Sequence, residues 1–429
     1  MNKIELRKSE IKGKIQIPPS KSLCHRAIIC ASLCEEESKI ENFIMSEDMR
    51  ATIDGMKVLG AKIEEIKDES GEINSLKIRG CFIKNGDCID CIESGSTIRF
   101  LIPISLLYKG KTTFYGRGKL VNRPLNSYIN IFEKYGIDYI YEYSKLPIII
   151  DGNLKSGEYE IEGNVSSQFI TGLLFTLPLL DGDSKIKLTT KLESKGYVDL
   201  TIDILNKYGI QVKNNDYREL IVSGNQKYMK RDYRVEGDFS QAAFWIVAGI
   251  IGGEVECLDL NIDSLQGDKQ ILDIVQAMGG KVEINENSIK AYKSDTKGIV
   301  IDASQIPDLV PILALLASLS LGTTRIINAH RVRIKESDRL KAISNELKKL
   351  GADIEEIEDG LVIKGVEKLA GGEVDSWNDH RIAMTLAIAS IRCEKPVMIN
   401  NSSAVNKSYP NFWRDFKNLG GDLYEETEL

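Results

Sequence analysis

Histidine is scarce in this chain: His25, His330 and His380 are the only three among 429 residues. One lone C-x-x-C, Cys88 with Cys91, has no second pair to complete it. Together these leave a zinc centre short of ligands, and no metal site is expected. The eight cysteines, at 24, 30, 34, 81, 88, 91, 257 and 393, also lack the spacing of a disulfide framework, so they read as free thiols. No apolar leader is expected, because MNKIELRKSE is charged from its third residue. The longest apolar stretch, VPILALLASLSLG from Val310, is short for a membrane span and is broken by serines. Excess positive charge is missing too. A net charge of −7 argues against a general nucleic-acid binder, so any anionic ligand must be held by local basic clusters. GRGKL at 116–120 lacks the flanks of a phosphate loop, and there is no H-E-x-x-H and no G-x-S-x-G. The expectation is a soluble, cytoplasmic protein that acts on small molecules and has no nucleic-acid or membrane partner.

What the chain does have is a repeat. A polar residue followed by a long apolar helical run begins at Ser22, Ser94, Ser166, Asp238, Asp308 and Asp379, at intervals of 72, 72, 72, 70 and 71 residues. A second, amphipathic helix keeps the same beat and stops at a glycine, at positions 60, 136, 209, 279, 351 and 420. Glycine just past a helix accepts the left-handed backbone that closes the last turn. Two independent markers with one period predict six similar α/β units of about 71 residues, three to a domain, with a boundary near Arg234–Gly237.

Function is then expected where the apolar helices begin, since their free N–H groups and dipoles attract anions. In IPPSKSLCHRAII, residues 17–29, Lys21 and Arg26 stand at or near a helix start, where the dipole disfavours cations. Arg99, Arg123, Arg381 and Lys407 add to the set. The densest basic cluster is HRVRIKESDRLK from His330, where alternation predicts a strand with Arg331, Arg333 and Lys335 on one face. Arginine suits phosphate and carboxylate because its planar fork binds bidentately. Asp308 and Glu336 remain for proton work. These features point to a site for a multiply anionic small molecule.

PSKSLCHR, ESGSTIR, VNRPL, SSQFITGLL, SKGYVDLT, IPDLVPILA, RIKESDRL, NDHRIAM and NKSYPNF occur in an order that resembles the 5-enolpyruvylshikimate-3-phosphate synthases, the 3-phosphoshikimate 1-carboxyvinyltransferases. The resemblance spans nearly the whole chain. It implies an α/β fold of two similar domains, each of three βαβαββ units, with helix N-termini facing an interdomain cleft that closes on substrate. The domains would be 1–20 plus 235–429, and 21–234, with hinges near 20 and 235. The reaction implied moves the enolpyruvyl group of phosphoenolpyruvate to the 5-hydroxyl of shikimate 3-phosphate, without metal or cofactor, in a monomer.

Carried over by position, the resemblance implies that Lys21, Ser22, Arg26, Ser166, Ser167, Gln168, Ser194, Tyr197, Asp308 and Lys335 bind shikimate 3-phosphate. Phosphoenolpyruvate would be held by Lys21, Gly95, Arg123, Gln168, Arg339, Arg381 and Lys407. Lys21, Asp308 and Glu336 would be catalytic: Asp308 at the reacting hydroxyl, Glu336 at the donor's methylene carbon, Lys21 as a rival acid. Glu93 departs from the family's usual asparagine and Ser96 from its threonine. The departure at Glu93 places a carboxylate beside the donor-phosphate region and bears on donor affinity and on sensitivity to glyphosate. Two alternatives are a UDP-N-acetylglucosamine enolpyruvyl transferase and a relative that binds without catalysis. The first usually carries a cysteine in the loop before its Arg-Pro, and YGRGKLVNRP, residues 115–124, has none.

Overall fold

A computed structural model of the chain describes residues 3–425. Among the described residues twelve α-helices run, in order, α1 (Lys21–Ser32), α2 (Glu47–Val58), α3 (Gly95–Ser105), α4 (Asn126–Tyr135), α5 (Ser167–Thr176), α6 (Lys195–Lys207), α7 (Phe239–Gly252), α8 (Ile271–Ala277), α9 (Val310–Ser318), α10 (Arg339–Lys349), α11 (His380–Ala389) and α12 (Phe412–Asn418). The odd-numbered helices are the apolar ones of the repeat. Every residue of α9 is buried, and so is α7 from Phe239 to Ile251. A helix apolar on all sides has no face to offer water, so it must be surrounded. The even-numbered helices are amphipathic: α10 buries Leu340, Ile343 and Leu347 and exposes Lys341, Lys348 and Lys349. The six glycines of the beat all take positive φ, from 65° at Gly136 to 106° at Gly60.

Each pair of helices accompanies one four-stranded sheet, six among the described residues. In the fifth, Val300–Asp302 runs parallel to Thr323–Ile327, which pairs antiparallel with Gly360–Lys364, itself antiparallel to Asp353–Ile357. Alternation along Thr323–Ile327 buries Thr324 and Ile326 and exposes Thr323 and Arg325. That is the period-two signature of a sheet with one face on a core.

The chain divides into two compact units, Met1–Pro18 with Glu236–Leu429, and Pro19–Val235. Strand exchange along the sequence produces this division. Lys12–Gln16 supplies the parallel edge of the fourth sheet, beside Glu254–Leu258, whereas Tyr233–Arg234 supplies that edge of the first, beside Ser38–Glu41. Ile4–Arg7 completes the sixth sheet between Val397–Asn400 and Asp422–Glu425. The second unit is thus an insertion into the first. Each unit has its own apolar core, one built around Trp245 stacked on Phe412 (5.2 Å), the other around Phe100, Phe169 and Phe175. Burying one large apolar side chain is worth about 1.5–3 kcal/mol.

Candidate active site

In the first unit the candidate residues gather around Asp308. Pro307 opens a single 3-10 turn, Pro307–Leu309, that leads into α9. Asp308 lies inside that turn rather than at a cap, so its carboxylate turns to cations instead of backbone amides. Its Oδ1 accepts from Arg339 Nη1 at 2.8 Å, with Lys335 Nζ 3.5 Å away, and its Oδ2 accepts from Arg381 Nη2 at 3.0 Å. Arg339 is the first residue of α10, a place where the helix dipole opposes a cation. Two further carboxylates offset that: Nη2 donates to Glu336 Oε2 at 2.7 Å and Nε to Asp379 Oδ2 at 2.8 Å. Burial works against charge on Arg339, but Asp379, Glu336 and Asp308 outweigh it and hold its pKa above the ordinary arginine value. For Lys335 burial wins, and its pKa is lowered despite the pull of Asp308.

Arg381 enters the cluster from the first turn of α11, where Asp379 caps the helix by accepting from Arg381 N at 2.9 Å. Its Nη2 also reaches Ser240 Oγ at 3.0 Å, and that hydroxyl donates to Asp238, the cap of α7. Lys407 is 5% exposed and donates to the Asn378 carbonyl at 2.7 Å.

In the second unit, Lys21 is the first residue of α1 and pairs with Asp48 Oδ2 at 3.0 Å. Arg26, one turn on, is fully buried. It donates to the carbonyls of Ser22 and Tyr197 and, through Nε, to Thr201 Oγ1 at 2.9 Å, so it ties α1 to α6. Burial pulls its pKa down to about 10. Ser166 caps α5 by accepting from Gln168 N, and Gln168 bridges two elements, accepting from Arg99 Nη1 at 2.8 Å and donating to Ser96 Oγ at 2.9 Å. Gly95 opens α3 beneath Arg123: a Cβ there would come 2.5 Å from Arg123 Nη1, so only glycine lets the guanidinium lie against the backbone. Ser194 takes a left-handed φ of 55° where α6 begins, and its carbonyl accepts from Tyr197 N at 3.2 Å. Ser167 is the first residue of α5 and is buried.

A chain of hydroxyls links α1, α2 and α3. Thr97 Oγ1 donates to Ser94 Oγ, Thr52 Oγ1 lies 2.7 Å from Thr97 Oγ1, and His25 Nδ1 lies 2.8 Å from Thr52 Oγ1. Since Thr97 spends its proton on Ser94, Thr52 must donate to Thr97 and His25 must donate from Nδ1 to Thr52. His25 Nε2 is buried with no hydrogen-bond partner among the described residues, which suits a bare acceptor better than a stranded N–H. Burial first, then Lys21 and Arg26, keep this imidazole neutral by lowering its pKa well below the usual histidine value.

The predicted strand over 331–335 is not formed. His330–Ile334 is a 3-10 helix, because Asn328 turns the chain at a φ of 56° and Asp359 receives the Ala329 and His330 amides. Arg331 and Arg333 therefore part company. Arg331 is buried and donates to the Ser304 carbonyl, while Arg333 pairs with Asp338 and Glu356. Of the polar helix starts, Ser94, Ser166, Asp238 and Asp379 are caps. Glu93 sets its carboxyl against Gly118, whose Cβ position would lie 2.5 Å from Glu93 Cδ. Asp379, Ser240 and Asp48 went unassigned to the site by sequence reasoning. Each reads as an ordinary helix-start residue, and only tertiary contact gives it a functional neighbour. Among the described residues no group of three or more His, Cys, Asp or Glu could hold a metal, and no helix is long and apolar enough to cross a membrane.

A family model for EPSP synthase (3-phosphoshikimate 1-carboxyvinyltransferase) matches residues 6–416. The chain belongs to the EPSP synthase family. It is 61% identical to the 3-phosphoshikimate 1-carboxyvinyltransferase of Clostridium novyi and 58% identical to that of Clostridium acetobutylicum, in each case over 99% of both chains. The structure of EPSP synthase from Acinetobacter baumannii superposes with a TM-score of 0.82 at 25% identity, covering 100% of each chain. The enolpyruvyl transferase NikO from Streptomyces tendae shares the fold alone, with a TM-score of 0.82 at 16% identity over 100% of this chain and 99% of that one. The α/β fold of two similar halves expected for an EPSP synthase is therefore the fold found.

Proposed function

We infer that this chain transfers the enolpyruvyl group of phosphoenolpyruvate to the 5-hydroxyl of shikimate 3-phosphate, releasing phosphate. Membership of the EPSP synthase family and relatives at 61% and 58% identity support the reaction. The observation that carries the assignment of roles is the division of one carboxylate, Asp308, between Arg339 and Arg381. An incoming donor brings a carboxylate and a phosphate of its own. Those anions compete with Asp308 for the two guanidinium forks, and an Asp308 released from them becomes a stronger base. Binding the donor then readies the base that activates the acceptor.

The chemistry runs in two halves. The C5 oxygen loses its proton to Asp308 and attacks C2 of phosphoenolpyruvate while C3 gains a proton. The resulting tetrahedral ketal expels phosphate, and the new methyl group gives up a proton to restore the double bond. Glu336, bound to Arg339 beside Asp308, is the carboxyl proposed to give and then take the proton at C3. Lys21 is the rival acid for that proton. The proposed acceptor set in the second unit is Lys21, Ser22, Arg26, Ser166, Ser167, Gln168, Ser194 and Tyr197, joined by Asp308 and Lys335. Gly95, Arg123, Gln168, Arg339, Arg381 and Lys407, with Lys21, are proposed for the donor.

Phosphate release from phosphoenolpyruvate, with shikimate 3-phosphate or UDP-N-acetylglucosamine as acceptor, tests the reading. Turnover is expected with shikimate 3-phosphate alone. In the same assay Asp308→Asn and Glu336→Gln should each lower kcat on the order of 100- to 10,000-fold, the usual worth of a general acid or base. Near-normal turnover of Glu336→Gln would remove it from the proton transfers.

A further inference from the structure

Between the strand Gly372–Asp375 and α11 the chain makes a turn that L residues avoid. Trp377 and Asn378 are consecutive non-glycine residues at φ of 55° and 52°. Such backbone persists only where its surroundings over-determine it. The far side of the turn carries the donor-binding groups: the Asn378 carbonyl accepts from Lys407, and Asp379 binds Arg339 and caps the helix bearing Arg381.

What holds the turn is a buried carboxylate on α10. Glu346 is 1% exposed. Its Oε1 accepts from the Trp377 indole Nε1 at 2.8 Å and its Oε2 from the Asp375 amide at 2.9 Å, with Lys349 Nζ at 3.0 and 2.8 Å. Asp375 in turn accepts from the Trp377 amide and from Asn401 Nδ2, and Ser376 Oγ donates to the Asn401 carbonyl and accepts from the Asn378 amide. One carboxylate thus grips the turn at its entry and at the side chain of its first left-handed residue. Two part-buried donors, the Trp377 indole and the Asp375 amide, meet its two oxygens, and an amide in its place satisfies at most one of them.

We propose that Glu346 is a positioning residue for the donor half of the site, locking the Trp377–Asn378 turn so that Lys407, Arg339 and Arg381 stay in register. The proposal rests on the reading of those three cations as phosphoenolpyruvate ligands. Glu346 acts only through Trp377 and Asp375.

The test compares Glu346→Gln and Trp377→Phe with the wild type. Trp377→Phe keeps the ring and removes the indole donor. The first readout is the set of three indole N–H signals in a nitrogen–proton spectrum, one each for Trp245, Trp377 and Trp413, with Trp377 assigned by its loss in Trp377→Phe. In Glu346→Gln the Trp377 signal should move while those of Trp245 and Trp413 stay, which establishes a folded protein with an altered turn. The second readout is kinetic. KM for phosphoenolpyruvate should rise on the order of ten- to a hundredfold in both variants, since small misplacements at a distance cost that much. KM for shikimate 3-phosphate should hold. A wild-type donor KM in Trp377→Phe, or in a Glu346→Gln whose Trp377 signal has moved, overturns the proposal. If Glu346→Gln unfolds, Trp377→Phe decides alone. Wild-type activity measured alongside judges the functional reading separately, because an inactive wild type with an intact Trp377 signal sinks that reading and, with it, the basis of this one.

Discussion

A histidine sealed among apolar side chains sets a pH limit on the fold. His25 has its pKa lowered below the ordinary value, chiefly by burial: Nδ1 donates into the Thr52–Thr97–Ser94 chain in either state, but a second proton would sit on Nε2, which is buried with no hydrogen-bond partner among the described residues. As pH falls below about 6.5 the unfolded chain takes up this proton first, so stability is full above that pH and declines beneath it, by at most about 1.4 kcal/mol per pH unit. His25→Asn, which keeps a donor without a titrating ring, should flatten the difference between urea midpoints at pH 7 and pH 5. An unchanged slope would show that His25 is not the group responsible. Single residues were legible from the sequence where their own neighbours in the chain carry the signal: Asp308, Glu336, Arg339 and Arg381 all stand at or near helix starts, and the structure brings all four into one cluster. Asp48 was not legible, because nothing in SEDMR separates a partner of Lys21 from a common first-turn acid.

Among elements, the helix-closing glycines show how far a local rule reaches. All six take positive φ, as a C-cap demands, yet they differ in what surrounds them. Gly136 has open space where a Cβ would go, whereas at Gly60 a Cβ would fall 2.1 Å from the Cys81 carbonyl and 2.4 Å from that of Ile83. Gly136→Ala should therefore lose only the left-handed penalty, about 1–2 kcal/mol. Gly60→Ala must also push two backbone carbonyls aside, and thermal unfolding should rank it clearly the worse. Equal losses would mean the first and second repeats close their helices alike. The stretch 330–334 marks the opposite case. Arg331-Val332-Arg333 alternates like a strand, but alternation cannot report that Asp359, 29 residues later, takes the His330 amide and winds the segment into a 3-10 turn. Periodicity over five residues is weaker than one well-placed acceptor.

For the whole molecule, the repeat was visible because each unit's helix pair repeats its local marks. The strand exchange was expected only from the family resemblance, which implied 1–20 together with 235–429; nothing in KGKIQ or YR by itself says which sheet will take it. The exchange makes a prediction of its own. Ile4 pairs with Glu425, so the two ends of the described chain lie in adjacent strands. A permuted chain that begins at Pro19 and joins the old ends through a short Gly/Ser linker should fold and keep its activity, with each unit now continuous. Loss of soluble protein in that permutant, with a linker long enough to span the gap, would show that order along the chain matters to the fold. The same insertion has a consequence for the protein as it is made. Residues 4–16 leave the ribosome before the strands they pair with: Glu254–Leu258 for Lys12–Gln16 and, later still, Val397–Asn400 and Asp422–Glu425 for Ile4–Arg7. At about 5–20 residues per second the longer wait is roughly 20 to 80 seconds. Through it, Ile4 and Leu6 must remain unpaired while the inserted unit assembles. Whatever keeps that strand from adhering elsewhere in those seconds governs the yield of active protein, before any substrate is met.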